Sequence, residues 1–266
     1  MDGRSNLICP ECDGSGWIIY EKRVELLPGK GLSEHPYTFG RKCPNCNGGT
    51  RAEIPQMQAK SKTPASFSDK TYKDFNWNIY QDEKHNVVDT EKTQKYVLSF
   101  IRDFQKWQDA GQGLYIQSKV KGSGKTFLAS CLINEIMKKY AVRSKFVPCI
   151  DLISIDQTAN PHGTSEQEIN PIGYIAKTPL IVIDDIGVKS QNTWIDEVLF
   201  KIVDTRLQQK LPTIFTSNIP IDELQYDERV TDRIYRMTQT VLLPEIKVRR
   251  MISGDKRNDF LKEIGL

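Results

Sequence analysis

From Gly113 onward, short apolar runs alternate with longer amphipathic ones. GLYIQ (113–117) reads as a short strand, and Lys125 to Tyr140 as a helix. SKFVPC (144–149) reads as a strand, and DLISI (151–155) opens a further helix. PLIVIDD (179–185) is a continuous apolar run of the kind found in strands covered on both faces. Asn192 to Gln209 has helical periodicity, PTIFTSN (212–218) is another buried strand, Asp222 to Met237 is helical, and TVLLP (240–244) is a last short strand. A βαβαβ order predicts an α/β fold, a parallel sheet flanked by helices with right-handed crossovers.

Upstream the pattern changes. Tyr96, Val97, Phe100, Ile101, Phe104 and Trp107 recur at helical spacing, which predicts one helix from Thr90 to Asp109. TYKDFNWNIY (71–80) mixes polar residues with Tyr72, Phe75, Trp77 and Tyr80. Residues 52–66, AEIPQMQAKSKTPAS, carry two prolines and few large apolar groups, and read as a linker. Before it, two short apolar stretches, Trp17 to Tyr20 and Val24 to Leu27, are expected to pair as a hairpin. The resulting division is 1–51, a small domain; 52–66, the linker; 67–252, the core; and 253–266, a short C-terminal segment.

Composition narrows the classes. With 266 residues and 38% hydrophobic side chains, there is material for one sizeable core and one small domain. A formal net charge of +3 excludes a strongly cationic, histone-like binder, and the charge pattern locates no nucleic-acid surface. No apolar run approaches the roughly 20 residues of a membrane span, and MDGRSNLICPECDGSG has no apolar signal-peptide core. The expectation is a soluble, cytoplasmic protein with no membrane contact.

Six cysteines remain. Cys131 and Cys149 sit in apolar stretches. The other four form two copies of one device, CPECDGSG and CPNCNGGT, with pairs Cys9/Cys12 and Cys43/Cys46. Cys-Pro-x-Cys followed by glycine makes a tight knuckle whose amides can face thiolate sulfurs. Two knuckles supply four thiolates, enough for a closed tetrahedral zinc site; His35 is a spare ligand. A closed site stabilises rather than catalyses, and a domain of this size with so few large apolar groups needs such a staple.

The chemistry of the core begins at GSGKT, which follows a strand and opens a helix. Backbone N–H groups of Gly122, Ser123, Gly124, Lys125, Thr126 and Phe127 would surround a β-phosphate at a positive helix N-terminus. Lys125 would reach the β- and γ-phosphates of ATP, and Thr126 would place its hydroxyl on Mg²⁺. Lys119 stands where the usual pattern has its first glycine. Either the backbone there avoids positive φ or the loop is one residue longer. Downstream, Asp184 would hold the magnesium through water, Asp185 would polarise the attacking water, and Asn218, at the tip of the next strand, would sense the γ-phosphate.

With GLYIQ…GSGKTFLASCLINEI, PLIVIDDIG, PTIFTSNIP, ERVTDRIYRM and VRR in this order, the stretch 66–252 resembles the AAA+ helicase loaders of bacterial and phage replication, the DnaC/DnaI type. A zinc module before the core resembles the DnaI branch. The resemblance implies an ATPase, slow and stimulated by its partners, that binds the replicative hexameric helicase, contacts single-stranded DNA and self-associates through AAA+ interfaces. It implies Arg233 as an arginine finger acting on a neighbouring subunit's nucleotide, with Arg236 as the other choice, and Arg249 or Arg250 as a second sensor. The 16 residues after Arg250 (266 − 250) are too few for a full helical lid, so modest nucleotide affinity or slow hydrolysis is expected. IstB-type transposition ATPases share the core. A zinc-dependent chaperone or adaptor is the reading from another class, because CPECDGSG resembles the zinc repeats of DnaJ-type co-chaperones.

Overall fold

A computed structural model describes residues 17–22, 37–42, 60–187 and 193–249. Strands β1 (Trp17–Lys22) and β2 (Tyr37–Lys42) form an antiparallel ribbon, from Trp17↔Lys42 to Lys22↔Tyr37. The second strand is therefore not the expected Val24 to Leu27. Tyr37–Lys42 opens with three consecutive β-favouring residues, Tyr37, Thr38 and Phe39, which suit a strand. The four paired cysteines lie outside the described residues.

The larger unit is a five-stranded parallel sheet in the order β4-β5-β6-β3-β7. Its strands are β3 (Gly113–Gln117), β4 (Ser144–Pro148), β5 (Leu180–Ile186), β6 (Thr213–Ser217) and β7 (Thr238–Leu242). The helices are α1 (Glu91–Arg102), α2 (Phe104–Ala110), α3 (Lys125–Tyr140), α4 (Asp151–Gln157), α5 (Glu166–Ile169), α6 (Pro171–Lys177), α7 (Thr193–Gln208) and α8 (Glu228–Met237). The chain leaves β3 through α3 and crosses to β4, while β5 and β6 fill the space between. The alternating pattern thus delivers the parallel α/β sheet expected of it.

Two apolar layers sandwich the sheet, and strand periodicity of two decides which residue enters which. Leu114, Ile116, Phe146, Leu180, Val182 and Ile214 pack with α1, α2, α3 and the aromatic segment at 75–80. Their neighbours Tyr115, Val147, Ile181, Ile183 and Phe215 pack with α4, α6, α7 and α8 on the opposite face. None of the described helices is long and apolar enough to cross a membrane.

Three local differences from expectation have physical causes. The single helix expected from Thr90 to Asp109 is broken at Asp103, whose φ of −112° and ψ of 29° depart from helical values. The break lets Phe104 turn edge-on to Phe100, with ring centroids 5.4 Å apart. Part of the expected linker is core structure: Ser61 is buried, Lys145 Nζ donates to Lys60 O at 3.2 Å, and a 3₁₀ turn spans Ala65–Phe67. The expected helix from Asp222 starts later, at Glu228, where the Asp227 side chain accepts from the Arg229 amide.

At the end of the sheet opposite the strand tips, one side chain ties three chain segments together. Arg206 of α7 is fully buried. Its Nε donates to Thr213 Oγ1 at 2.7 Å, Nη1 to Ala176 O at 3.0 Å and Thr178 O at 2.6 Å, and Nη2 to Pro212 O at 2.6 Å. These partners are all neutral oxygens, and burial pulls the guanidinium down to about 9. The planar fork satisfies carbonyls at the end of α6 and at the starts of β5 and β6 in one stroke. Arg206→Met should cost about 3 kcal/mol or more, because several buried carbonyls lose their donor at once. Arg206→Lys should recover only part of that, since one ammonium cannot span the same partners. Urea unfolding of the two variants checks both outcomes.

Candidate functional site

The chain leaves β3 at Gln117, turns through 118–124 and enters α3 at Lys125. Gly122 and Gly124 hold φ of +83° and +97°, a region glycine adopts without steric cost. Lys119 is not among the residues with positive φ, so the entrance needs no glycine there. Three successive carbonyls each find a donor. Gly122 O accepts from the Arg249 amide at 3.0 Å, Ser123 O from the Tyr80 hydroxyl at 2.7 Å, and Gly124 O from the Leu128 amide at 2.8 Å. The last of these is the first bond of the helix ladder, so the amides before it are left for a ligand. Lys125 Nζ lies within the loop, donating to Ser118 O, Val120 O and Ser123 Oγ at 3.0–3.1 Å. Burial pulls its ammonium down to about 8, against the opposing pull of Asp185 and Asp184.

The acids sit on a bulge. Pairing of β5 with β6 jumps from Ile183↔Phe215 to Ile186↔Ser217, so Asp184 and Asp185 together oppose the single residue Thr216. Asp185 absorbs the extra residue with φ of 57°, a strained choice for a residue with a side chain. The Thr216 hydroxyl donates to Asp184 Oδ1 at 2.6 Å and accepts from the Asp185 amide at 2.8 Å. Asp184 Oδ2 accepts from Thr126 Oγ1 at 3.2 Å, and Asp185 Oδ1 accepts from Asn218 Nδ2 at 2.8 Å. Burial raises the Asp184 carboxyl above its ordinary value, although the two hydroxyls hold it down in part. A hydroxyl and a carboxylate at the mouth of the loop form the hard-oxygen donor set that magnesium takes together with phosphate. Asn218 Oδ1 is buried without a hydrogen-bond partner among the described residues, leaving an acceptor beside Asp185.

Beside the loop lies a cavity of about 320 Å³. Phe67 and Phe127, with ring centroids 5.1 Å apart, and Val248 give it apolar walls; Gly122, Gly124, Lys125 and Thr126 form its other end. Such a shape fits a planar base joined to phosphates. The buried Asn134 of α3 holds the outer wall in place, donating to Phe67 O and Lys70 O at 2.8 Å each. Arg249 lines the same cavity, and a Cβ on Gly122 would lie 3.2 Å from Arg249 Cβ. Arg250 lies outside the described residues.

Sequence reasoning named the loop, both acids and Asn218, and the structure brings them together. It missed Thr216, which looked like an ordinary strand residue; the signal was a hydroxyl two positions before Asn218 on the neighbouring strand. It also missed Phe67 and Tyr80, because nothing in the chain announces which aromatic returns to a loop more than 40 residues away. Arg233 does not line the cavity beside the loop. Its Nε donates to Asp204 at 2.8 Å, Nη1 donates to Arg229 O at 2.9 Å, and the guanidinium lies 4.5 Å from the Phe200 ring centroid. Arg236 makes a looser pair with Asp232 at 3.7 Å and is more exposed. Among the described residues no cluster of His, Cys, Asp and Glu forms a metal site. Cys131 and Cys149 are buried thiols, pushed by burial up to about 12 and 11.

A family model described as IstB-like ATP binding protein matches residues 57–242. The replicative helicase loader DnaI of Bacillus subtilis (strain 168) is 32% identical over 134 residues, which are 50% of this chain and 41% of that protein. The replicative helicase loader DnaC of Escherichia coli (strain K12) is 31% identical over 147 residues, 53% of this chain and 58% of that protein. The match thus spans about half the length of each of these two loaders. A crystal structure of DnaI superposes with a TM-score of 0.55 at 22% identity, covering 69% of this chain and 95% of that one. The two share a parallel sheet flanked by helices of the P-loop AAA+ type. Because that family model matches residues 57–242, well over half of the chain, the chain belongs to the IstB-like ATP-binding protein family.

Proposed function

We propose that this protein is an ATP-hydrolysing loader that binds a replicative hexameric helicase and helps to place it on single-stranded DNA. The observation that carries the ATPase reading is the chain of contacts Thr126–Asp184–Thr216–Asp185–Asn218. It lines up, in one small volume, a hydroxyl and a carboxylate for a metal and a second carboxylate with an amide for a water. The helicase reading rests on the names of the two loader relatives.

In this reading the base lies between Phe67, Phe127 and Val248, and the amides of Gly122 to Phe127 bind the β-phosphate. Lys125 exchanges its loop oxygens for phosphate oxygens. Thr126 and Asp184 hold Mg²⁺, which when bound neutralises charge developing on the phosphates. Asp185 and Asn218 orient the attacking water, with the free Asn218 Oδ1 taking a hydrogen bond from it. Arg249 or Arg250 senses the nucleotide from the same subunit. Arg233, or Arg236, reaches a neighbouring subunit's nucleotide; Arg233 would first have to leave Asp204. The four cysteines Cys9, Cys12, Cys43 and Cys46 bind zinc and give the helicase-binding module its stability. Pairing of Trp17 with Lys42 supports this, because it brings together the two points of the ribbon nearest the cysteine pairs. ATP turnover then acts as an assembly switch.

The family description favours a second reading, a transposition ATPase of the IstB type. Co-purification with the hexameric replicative helicase of the same organism, with and without ATP and with a Cys43→Ser variant, separates the two. Capture that needs the intact cysteine supports the loader. Filaments on DNA with no helicase capture support transposition, and full activity of Lys125→Ala in either assay would point instead to an adaptor.

Lys125→Ala should lower ATP affinity on the order of 100-fold, the worth of a charge-assisted contact to phosphate. Asp185→Asn should leave ATP affinity within a few-fold and slow hydrolysis roughly 100-fold or more. Equilibrium nucleotide titration and steady-state phosphate release measure the two effects separately. Lys125 titrates at about 8 in the free protein, and bound phosphate must raise that value. Below pH 8 the ammonium is charged in both states, so affinity for ADP is flat with respect to this group. Above pH 8 binding requires proton uptake, so affinity should fall, approaching tenfold per pH unit. Calorimetry in buffers of different ionisation heat should register that uptake at pH 9 and lose it in Lys125→Ala.

A further inference from the structure

Tyr80 belongs to the polar-aromatic segment at 71–80, which none of the roles above uses. It is fully buried, and its ring lies in the aromatic group with Phe75 and Trp77. For packing alone phenylalanine would serve. The hydroxyl is therefore the informative atom, and it donates to Ser123 O at 2.7 Å across 43 positions of chain. Burial drives the phenol well above its ordinary value, so it remains a donor at any working pH.

The target is the peptide between Ser123 and Gly124. In a trans peptide the carbonyl and the following N–H point in opposite directions. Holding Ser123 O toward Tyr80 therefore turns the Gly124 N–H away from Tyr80, into the hollow of the loop. That peptide is also the one most in need of holding. Gly124 sits at φ of +97°, and a Cβ there would lie 3.1 Å from the Tyr80 hydroxyl and 3.7 Å from Phe75. Glycine is required at this place, yet glycine also lets the peptide rotate with little steric resistance. The adjoining carbonyls are held by backbone groups, the Arg249 amide and the helix ladder. Ser123 O alone of the three depends on a side chain.

We propose that Tyr80 is a positioning residue for nucleotide binding, which fixes the Ser123–Gly124 peptide so that the Gly124 amide is aimed at the β-phosphate. This deepens the ATP-site reading and rests on it. The chain just before that segment is tied to α3 by Asn134, which donates to Phe67 O and Lys70 O, so the stretch leading to Tyr80 starts from a fixed point.

Tyr80→Phe keeps the ring and removes the hydroxyl. It should weaken ADP binding about fivefold to tenfold, the worth of one hydrogen bond. At saturating ADP it should also shift the ³¹P resonance of the bound β-phosphate, which reports the loop's hydrogen bonding directly. Trp77→Phe, a packing change in the same aromatic group, should lower the melting temperature yet leave the bound β-phosphate resonance in place. Wild-type ADP affinity in Tyr80→Phe would overturn the proposal. So would weakened binding with an unmoved ³¹P resonance, since that pattern marks general destabilisation. If the unaltered protein binds no ADP, the nucleotide reading itself falls, an outcome distinct from either.

Discussion

One extra residue in β5 organises the chemistry of this protein. In a regular strand Asp184 and Asp185 would point to opposite faces of the sheet, and only one could reach the loop. The bulge against Thr216 cancels that alternation, and Asp185 accepts left-handed backbone to make it possible. Its strain, of order 1–3 kcal/mol, is offset by hydrogen bonds to Thr216 and Asn218. The proposed handling of metal and water depends on having both carboxylates on one side. The raised Asp184 carboxyl shows the electrostatic side of the same arrangement: two acids side by side, one of them buried, favour a cation close by.

The sheet was legible because its signal is redundant. LIVI is apolar at four consecutive buried positions, TIFTS sets Ile214 and Phe215 among β-favouring threonines, and parallel pairing follows when helices separate such runs. The loop, the acids and Asn218 were legible for a different reason: each sits where a strand ends, and strand ends can be located from hydropathy. What hydropathy does not carry is register. Thr216 matters because two residues face it, a fact of pairing between strands distant in sequence. The break at Asp103 and the anchoring of Ser61 escaped in the same way, since both depend on tertiary partners and not on local propensity.

Lys119 illustrates how a motif can be stricter than the physics beneath it. Positive φ is demanded at Gly122 and Gly124, where the chain turns into α3, and not at the entrance. A long side chain there is compatible with the fold because its backbone is ordinary. Arg233 illustrates the converse. A residue type in the right place on a helix does not show how its charge is engaged, and here Asp204 and Phe200 hold it on its own subunit. Moving it would replace a well-made local ion pair, so any role between subunits would be coupled to the conformation of α7.

The hydrogen bond from the Arg249 amide to Gly122 O has a temporal consequence. The loop and the outer wall of its cavity emerge from the ribosome long before the residue that closes them. At roughly 5–20 residues per second, the stretch from Phe127 to Arg249 takes on the order of ten seconds to synthesise. During that interval a nascent chain carries Phe67, Tyr80 and the complete glycine loop but lacks the strap that holds Gly122.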